Sequence, residues 1–162
     1  MACIRERALI EVERSADHIR SFMNAPEIYR YSAEYGAGEI NPTFERGEVW
    51  LSYVKDGLKV GMISLYVVTG SMCQCHPYIL RAYRDNYETM LRELFKWFID
   101  NMPKEAIKLN AIIPTLFSTT IEIVKKVGGK VEGIDRQSYR RTKTRVYDRV
   151  LLGITREEMA NG

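Results

Sequence analysis

The sequence contains few cysteines and no long apolar run. Its three cysteines are Cys3, Cys73 and Cys75, and none of them forms the Cys-x-x-Cys spacing that metal and redox sites favour. We expect them to be reduced, and we predict no metal site. Cys73 and Cys75 lie two residues apart in a predicted strand, so both should point to one face and fill a small, buried apolar role. No window approaches the roughly 20 apolar residues of a membrane span, and the charged amino terminus lacks an apolar run, so we expect a cytoplasmic protein without a membrane partner.

The chain also lacks a strong excess of charge. Its 24 Lys and Arg residues oppose 21 Asp and Glu residues, and the net charge of +3 is too small for a chain-wide attraction to nucleic acid or membrane. Hydrophobic residues make up 46% and charged residues 28%, which is typical of a globular protein. The 162 residues show no linker and no internal repeat. They predict a single domain over 1–162.

Alternating apolar residues and turn signals organise the first half of the chain. The predicted strands cover 8–14, 49–54, 59–68 and 72–80. Ser15 can cap a helix that follows the first strand, and a second helix should run from Pro26 to about Tyr35, with Gly36 as its stop. Asp56-Gly57 is typical of the tight turn of a β-hairpin.

The second half of the chain begins with its clearest helix, from about 85 to 101, where apolar residues recur every three or four positions. A short buried strand at 107–113 follows. The spacing of Thr119 and Glu122 predicts a capping box for the next helix, which should stop at Gly128-Gly129. A hairpin with arms at 130–139 and 144–152 then leads to a second capping box, Thr155 with Glu158, and a final helical turn.

The predicted order of elements is strand, two helices, three strands, helix, strand, helix and two strands. This order mixes antiparallel hairpins with a helical crossover and belongs to the α/β (α+β) class. It resembles the GNAT (N-acetyltransferase) superfamily over nearly the whole chain, and the stretch His76–Arg84 resembles the end of that family's acyl-CoA motif. The resemblance implies a central mixed, mostly antiparallel sheet flanked by helices. It also implies an acyl-CoA-dependent N-acetyltransferase that uses acetyl-CoA and an unidentified amine acceptor.

The family's cofactor loop, Gln/Arg-x-x-Gly-x-Gly/Ala, corresponds to residues 84–89 here. Its backbone amides and the following helix terminus hold the CoA pyrophosphate. Arg84 matches the first position, but Tyr87 and Thr89 replace the two small residues that allow close backbone approach. Asp85 and Glu88 add negative charge beside the expected pyrophosphate. These changes oppose cofactor binding at the loop.

A second family landmark, Asn-x-x-Ala-x-x-Leu-Tyr-Glu-Lys-x-Gly-Phe, resembles residues 117–129. Phe117 stands where the family has Asn, and Val124 stands where the family has the Tyr that often acts as general acid. The usual acid is therefore missing. The cofactor contacts that the resemblance implies are Ile79, Leu80, Arg81, Arg84, Asp85, Asn86, Tyr87, Glu88, Thr89 and Ser118.

Acetyl transfer needs a neutral amine, backbone donors for the thioester carbonyl and a proton for the departing thiolate. Ile79 and Leu80 occupy the strand end where the family presents such donors, although they can equally be ordinary buried strand residues. His76 is a hypothetical general base, with a structural role beside a strand proline as the alternative. Tyr78 and Tyr83 are hypothetical acids for the thiolate, but strand aromatics usually pack.

A non-enzymatic alternative stays open. The stretches 76–80 and 132–141 resemble GNAT-like proteins of tailed bacteriophages, which implies the host cytoplasm as the setting and head assembly or another binding task as the role. In that hypothesis the fold persists while Tyr87, Phe117 and Val124 have replaced the cofactor apparatus. The oligomeric state is open in both hypotheses.

The last predicted hairpin is rich in basic residues. They are Arg136, Arg140, Arg141, Lys143, Arg145 and Arg149. Such a surface can bind phosphate, nucleic acid or an acidic protein, but Lys and Arg more often solvate a strand or protect a sheet edge from unwanted pairing. We therefore do not expect nucleic acid as a partner.

Overall fold

The computed structural model describes residues 9–162, which form a seven-stranded sheet with helices on both faces. The strands are β1 (Leu9–Val12), β2 (Glu48–Lys55), β3 (Leu58–Val67), β4 (Met72–Ile79), β5 (Lys108–Pro114), β6 (Lys130–Arg140) and β7 (Val146–Thr155). The helices are α1 (Ala16–Asn24), α2 (Pro26–Ser32), α3 (Tyr87–Asn101), α4 (Ser118–Lys126) and α5 (Arg156–Asn161), and a 3₁₀ helix (Arg81–Asn86) precedes α3. The predicted class, a mixed sheet flanked by helices, is confirmed.

The strands lie in the order β1-β2-β3-β4-β5-β7-β6. Neighbouring strands are antiparallel except for β4 and β5, which are parallel and are connected through the 3₁₀ helix and α3. The basic hairpin of β6 and β7 places β6 at the edge of the sheet. This position agrees with the edge-protecting interpretation of its Arg and Lys residues.

Several local signals produce the structures that they predict. Asp56 and Gly57 adopt φ angles of 51° and 77° and join β2 to β3, as the tight hairpin turn requires. The Ser15 hydroxyl accepts the backbone N–H of His18 at 3.1 Å and caps α1. Thr155 and Glu158 form both hydrogen bonds of a capping box at the start of α5.

Three helix boundaries differ from the prediction. Helix α2 ends at Ser32 rather than near Tyr35, because Ala33 is extended and the Tyr35 amide donates to the Arg140 carbonyl oxygen of β6 at 2.8 Å. Helix α3 begins at Tyr87, two residues late, since the 3₁₀ helix takes up the preceding turn. The capping box predicted at residues 119–122 is wrong: α4 begins at Ser118, directly after the Pro114 turn, so Thr119 lies inside the helix.

Two apolar clusters hold helices to the two faces. The larger one joins the sheet to α3, α4 and α5, and it includes Cys73 and Cys75, which are 1% and 4% exposed and carry free thiols. Their predicted burial is confirmed, whereas Cys3 lies outside the described residues. The smaller cluster packs α1 and α2 on the opposite face and consists of Ile19, Phe22, Met23, Ile28, Trp50 and Met62. Among residues 9–162, no helix combines the length and apolar character needed to cross a membrane.

Candidate functional site

A cleft opens where β4 and β5 separate. The two strands pair at only three positions, from Met72 opposite Lys108 to Gln74 opposite Asn110. Beyond these pairs β4 continues alongside β3 and β5 continues alongside β7. The cleft encloses about 830 Å³ and is lined by the second half of β4, by β5 and by the first turns of α3 and α4.

The second half of β4 presents unpaired backbone groups to this cleft. The Leu80 amide donates to the Val60 carbonyl oxygen at 2.9 Å, so alternate residues of β4 bond to β3. By the same alternation, the main-chain groups of Cys75, Pro77 and Ile79 face the cleft. The pairing of Gln74 with Asn110 uses the Cys75 amide, and proline has no N–H, so the edge beyond that pair offers the Ile79 amide and three carbonyl groups. Such an edge can pair with an extended ligand.

Tyr87 reaches this strand edge from the first turn of α3. Its hydroxyl donates a long hydrogen bond, 3.4 Å, to the Pro77 carbonyl oxygen. Burial, with smaller effects from Cys75 and Tyr78, raises the pKa of the Tyr87 phenol, so it stays protonated at neutral pH. The phenol therefore occupies part of the β4 edge, and an extended ligand has to displace it to use this carbonyl group.

His76 lies on β4 and also lines the cleft. Its Nε2 atom is 3.1 Å from the Gln74 amide nitrogen and 3.5 Å from the Tyr66 hydroxyl, and its ring stacks on Tyr66 with centroids 5.9 Å apart. Burial lowers the pKa of His76, and the nearby Arg149 charge lowers it further. The imidazole is therefore neutral at pH 7, which is the form that a general base requires.

The turn between β4 and α3 uses several of its own polar groups internally. The Tyr87 amide donates to the Arg84 carbonyl oxygen, and the Tyr83 amide donates to the Leu80 carbonyl oxygen at 2.9 Å. The Arg84 guanidinium carbon lies 4.6 Å from the centroid of the Tyr31 ring, a cation–π contact. The amides of Tyr83 and Tyr87 are therefore bonded within the turn, whereas a phosphate-binding loop leaves its amides free to bind the phosphate.

Glu88 bridges α3 to α4 at the rim of the cleft. Its carboxylate lies 2.7 Å from the Lys126 amine and 3.0 Å from the Arg92 guanidinium. Hydrogen bonds from Lys126 and then from Arg92 lower the pKa of Glu88. The negative charge that the sequence places beside the cofactor loop is therefore compensated by two cations.

No protein-family profile matches the chain, and no curated protein matches it by sequence. Solved structures do match it. Spermidine N-acetyltransferase from Vibrio cholerae, solved in complex with CoA and spermine, superimposes with a TM-score of 0.77 at 9% identity over 95% of this chain and 98% of that chain. A GNAT-family acetyltransferase from Streptococcus pneumoniae gives a TM-score of 0.73 at 13% identity, covering 92% and 99% of the two chains. The chain has the GNAT fold.

A third GNAT structure supports the same fold. Phosphinothricin acetyltransferase from Sinorhizobium meliloti, solved with AcCoA, has a TM-score of 0.68 at 12% identity over 91% of this chain and 88% of that chain. At such identities the likeness establishes the architecture alone. The chemistry of this GNAT-fold chain has to be argued from its own cleft.

The GNAT-fold cleft collects many of the residues that the sequence singled out. Those that line it are His76, Tyr78, Ile79, Arg84, Asp85, Tyr87, Glu88 and Ser118. Those outside its lining are Leu80, Arg81, Tyr83, Asn86 and Thr89. Tyr78 carries a phenol whose pKa is raised by burial, so it keeps a proton that it can donate.

Four of the outlying residues have other contacts. The Leu80 amide is bonded to Val60, so the predicted pair of free backbone donors is reduced to Ile79. Tyr83 packs beside the large apolar cluster. The Arg81 amide donates to the Glu27 carboxylate at 2.8 Å, and Asn86 accepts a hydrogen bond from Lys55 at 3.1 Å. These contacts tie the turn to α2 and β2.

Sequence reasoning missed an aromatic row along the cleft. Phe117 meets Tyr31 edge-on at 5.6 Å and Tyr139 at 6.3 Å, and all three residues line the cleft. The departure from the family pattern at Phe117 was visible in the sequence, but its partners come from α2 and β6 and no local signal connects them. Arg149 also lines the cleft and bonds Asp135 at 2.9 Å.

The two glycines after α4 are explained by packing and backbone geometry. Gly128 adopts a φ of 109°, which favours glycine, and a Cβ atom on Gly129 would lie 2.7 Å from Val124 Cγ1. A Phe at 129, as in the family motif, has no room while Val124 is buried there. Within residues 9–162, no group of three or more His, Cys, Asp or Glu side chains is placed to bind a metal ion.

Proposed function

We propose that the protein is an acyl-CoA-dependent N-acyltransferase that modifies an amine. The observation that carries the proposal is the separation of β4 from β5, which leaves the β4 edge unpaired beside a cleft of about 830 Å³ that His76 also lines. An extended amide-containing arm, such as that of CoA, can pair with this edge as an additional strand would. The GNAT-fold structures that contain CoA or AcCoA support the same choice of ligand.

The residues present fit acyl-CoA at the strand edge better than at the phosphate loop. The Ile79 amide faces the cleft and can donate to an acyl carbonyl oxygen. The turn that would hold the pyrophosphate has its Tyr87 amide bonded to the Arg84 carbonyl oxygen, and the Arg84 guanidinium lies over the Tyr31 ring, so this turn offers little to a phosphate. When bound, acyl-CoA supplies the thioester from which the acyl group leaves.

The side chains of the cleft supply the proton transfers. Neutral His76 can take a proton from the ammonium form of the acceptor, directly or through water, and so produce the nucleophilic amine. Tyr78 lines the same cleft and holds a proton that can go to the departing thiolate, and its phenolate then takes the second proton that the amine nitrogen loses as the amide forms. The directions of the two pKa shifts keep His76 neutral and Tyr78 protonated at pH 7, which are the starting forms of a base and an acid.

Calorimetric titration with acetyl-CoA and with CoA tests the proposal. Micromolar binding of either ligand would support it, whereas no heat of binding up to millimolar ligand would remove the enzymatic function. The Tyr87→Gly variant removes the phenol from the β4 edge, and its melting temperature is measured as well because the ring packs against the large apolar cluster. Acceptor screening by release of free CoA then follows with wild-type protein.

A catalytically inactive GNAT-fold protein is the second candidate, and the Tyr87 hydrogen bond to Pro77 favours it. In this case the phenol blocks the cofactor site permanently, and the protein acts in binding or assembly, with a bacteriophage head component as its partner in the host cytoplasm. Binding of acetyl-CoA to Tyr87→Gly but not to wild type would support this candidate. Binding to wild type would exclude it.

A further inference from the structure

Two arginines, Arg84 and Arg30, lie against Tyr31 at the rim of the cleft, and two more, Arg81 and Arg141, come from the adjoining segments. The Arg84 guanidinium carbon is 4.6 Å from the Tyr31 ring centroid, and that of Arg30 is 6.0 Å away. The Arg141 guanidinium donates to the Arg30 carbonyl oxygen. Arg81 lies one turn before Arg84 in the same 3₁₀ helix. Three separate segments, namely α2, the 3₁₀ helix and the end of β6, therefore bring their cations together.

The positive charge of this cluster is not cancelled by ion pairs. No salt bridge joins any of the four guanidinium groups to a carboxylate among residues 9–162. Nearby Glu27 and Glu34 accept backbone N–H groups, from Arg81 at 2.8 Å and from Arg140 at 3.3 Å. Asp85 is exposed on the same rim. Glu27 and Glu34 thus bind main-chain amides rather than the guanidinium groups.

The pKa of Tyr31 is a second indication that the electrostatic potential at this rim is positive. Arg84 beside the ring lowers the pKa of the Tyr31 phenol, and the charges of Arg30 and Arg81 lower it further. A tyrosine that is 37% exposed would otherwise keep its ordinary pKa, since water screens it. The local potential at this rim therefore favours negative charge.

The cluster is held in place by tertiary contacts. The Tyr139 hydroxyl donates to the Ala33 carbonyl oxygen at 3.1 Å, and the Tyr35 amide donates to the Arg140 carbonyl oxygen at 2.8 Å. These bonds fasten the end of β6 to the chain after α2, and so they set Arg141 beside Arg30. Arg84 on the Tyr31 ring and Arg141 on the Arg30 carbonyl oxygen are already held in place, so they lose less freedom on binding an anion than free side chains would.

We infer that this cluster, Arg30, Arg81, Arg84 and Arg141, binds an oxyanion, a carboxylate or a phosphate, carried by the amine acceptor. The inference rests on the proposed function and names its substrate class: an acidic amine rather than a polyamine. Tyr31 and Arg84 line the cleft, so an acceptor anchored here by its negative group enters the same cleft with its amine. A polyamine would place its positive charges against the arginines and be repelled.

Arg30 gives the sharpest test, because its guanidinium makes no hydrogen bond within residues 9–162 and its loss should leave the fold intact. The probes are two short peptides with a free amino terminus, one with Glu at positions two and three and one with Gln. A third peptide carries phosphoserine at these positions, and spermidine is the cationic comparator. We expect the acidic peptides to bind at least tenfold more tightly than the Gln peptide, with affinity that falls as salt rises.

Arg30→Gln should lower the affinity for the acidic peptides about tenfold and leave binding of the Gln peptide unchanged. Arg46→Gln, which removes an equal charge from the exposed loop before β2, should change neither. Arg141→Gln should act like Arg30→Gln, with its melting temperature measured because Arg141 also bonds the main chain. The ratio of the Glu peptide to the phosphoserine peptide identifies which oxyanion the site prefers.

The remaining outcomes separate the possible failures. Equal binding of the Glu and Gln peptides, or tightest binding of spermidine, would overturn the inference. A tenfold loss of acetyl-CoA affinity in Arg30→Gln without any effect on the peptides would overturn it too, because the cluster would then serve the cofactor phosphates. Binding of acidic peptides by a protein that does not bind acetyl-CoA would uphold the oxyanion site while removing the transferase.

Discussion

At the scale of single residues, the cleft is governed by a side chain that the family pattern does not contain. Tyr87 stands where the family motif has a small residue, and its hydroxyl donates a hydrogen bond to the Pro77 carbonyl oxygen. The contact is long and therefore weak, so the same residue can act as a displaceable cover or as a permanent block. Substitution at this one position distinguishes the two.

We expect Tyr87→Phe to bind acetyl-CoA about two- to tenfold more tightly than wild type. The change removes one hydrogen bond worth about 0.5 to 1.5 kcal/mol, and so it frees the Pro77 carbonyl group for a ligand while the ring still packs. Calorimetry measures the difference, with the melting temperature as the check on folding. Weaker binding by Tyr87→Phe would instead show that the hydroxyl contacts the ligand.

His76 leads to a prediction about pH. Because burial and Arg149 lower its pKa below the ordinary value of 6.5, the imidazole stays neutral until the pH falls beneath that value. We therefore expect kcat/KM to be level above about pH 6.5 and to fall at lower pH as His76 is protonated. His76→Gln should lower kcat/KM by about 10²- to 10⁴-fold and remove this acidic limb. An unchanged limb in the variant would assign the base to another group.

At the scale of elements, Arg156 fastens α5 to the end of α3. Its guanidinium lies over the Phe98 ring at 5.2 Å and donates to four main-chain carbonyl oxygens at 2.8–3.0 Å. The acceptors belong to Ile99, Met102, Pro103 and Ala106. One side chain thus bonds carbonyl groups of the last turn of α3, of its cap and of the segment that follows.

Arg156→Lys should destabilise the protein by about 1 to 3 kcal/mol although the charge is kept. Lysine has no planar fork and cannot reach four carbonyl groups at once, so some of these partly buried groups lose their partner. Urea unfolding measures the loss. Arg136→Lys on exposed β6 is the matched control and should lie within about 0.5 kcal/mol of wild type. Equal urea unfolding midpoints for Arg156→Lys and Arg136→Lys would contradict this role of the Arg156 guanidinium.

At the scale of the whole molecule, a buried carboxylate joins the first elements of the chain. Glu13 is 4% exposed and accepts hydrogen bonds from the Ser15 amide at 2.9 Å, the Ser52 hydroxyl at 2.9 Å and the Lys59 amine at 2.6 Å. Burial alone would raise the pKa of Glu13, but these bonds outweigh it and lower the pKa to about 2. The network connects β2, β3 and the start of α1.

The lowered pKa of Glu13 links stability to pH. The ionised Glu13 carboxylate contributes its full stabilisation of the folded protein above the ordinary pKa of 4.5, and this contribution is lost as the pH falls from 4.5 to about 2. The pKa difference corresponds to about 3 kcal/mol. We expect Glu13→Gln to lose about this much at pH 7 and to show a flatter decline than wild type between pH 4.5 and 2, measured by urea unfolding. Parallel declines in the two proteins would contradict the linkage.

The sequence predicted the elements better than the site. The strands and helices were confirmed because alternation, helical spacing and turn residues act within a few positions. The predicted helix ends were wrong where a distant segment bonds the backbone. At α2, the Tyr35 amide donates to the Arg140 carbonyl oxygen of β6 instead of continuing the helix. Similarly, the role of Leu80 as a free donor depended on which neighbour bonds it, and the partner, Val60, is twenty residues away in the chain.

The sequence by itself determined the hairpin turn at Asp56-Gly57, the caps at Ser15 and Thr155, and the order of elements from which the GNAT resemblance came, since each depends on local backbone preferences. Only the tertiary structure decided the cleft, because the separation of β4 from β5 depends on the different partners that each strand finds. It likewise decided the reach of Tyr87 to Pro77 and the gathering of arginines around Tyr31. These contacts join residues from different elements. Whether two such residues meet depends on how the elements pack and where their side chains point, and the periodicity of a linear sequence encodes neither.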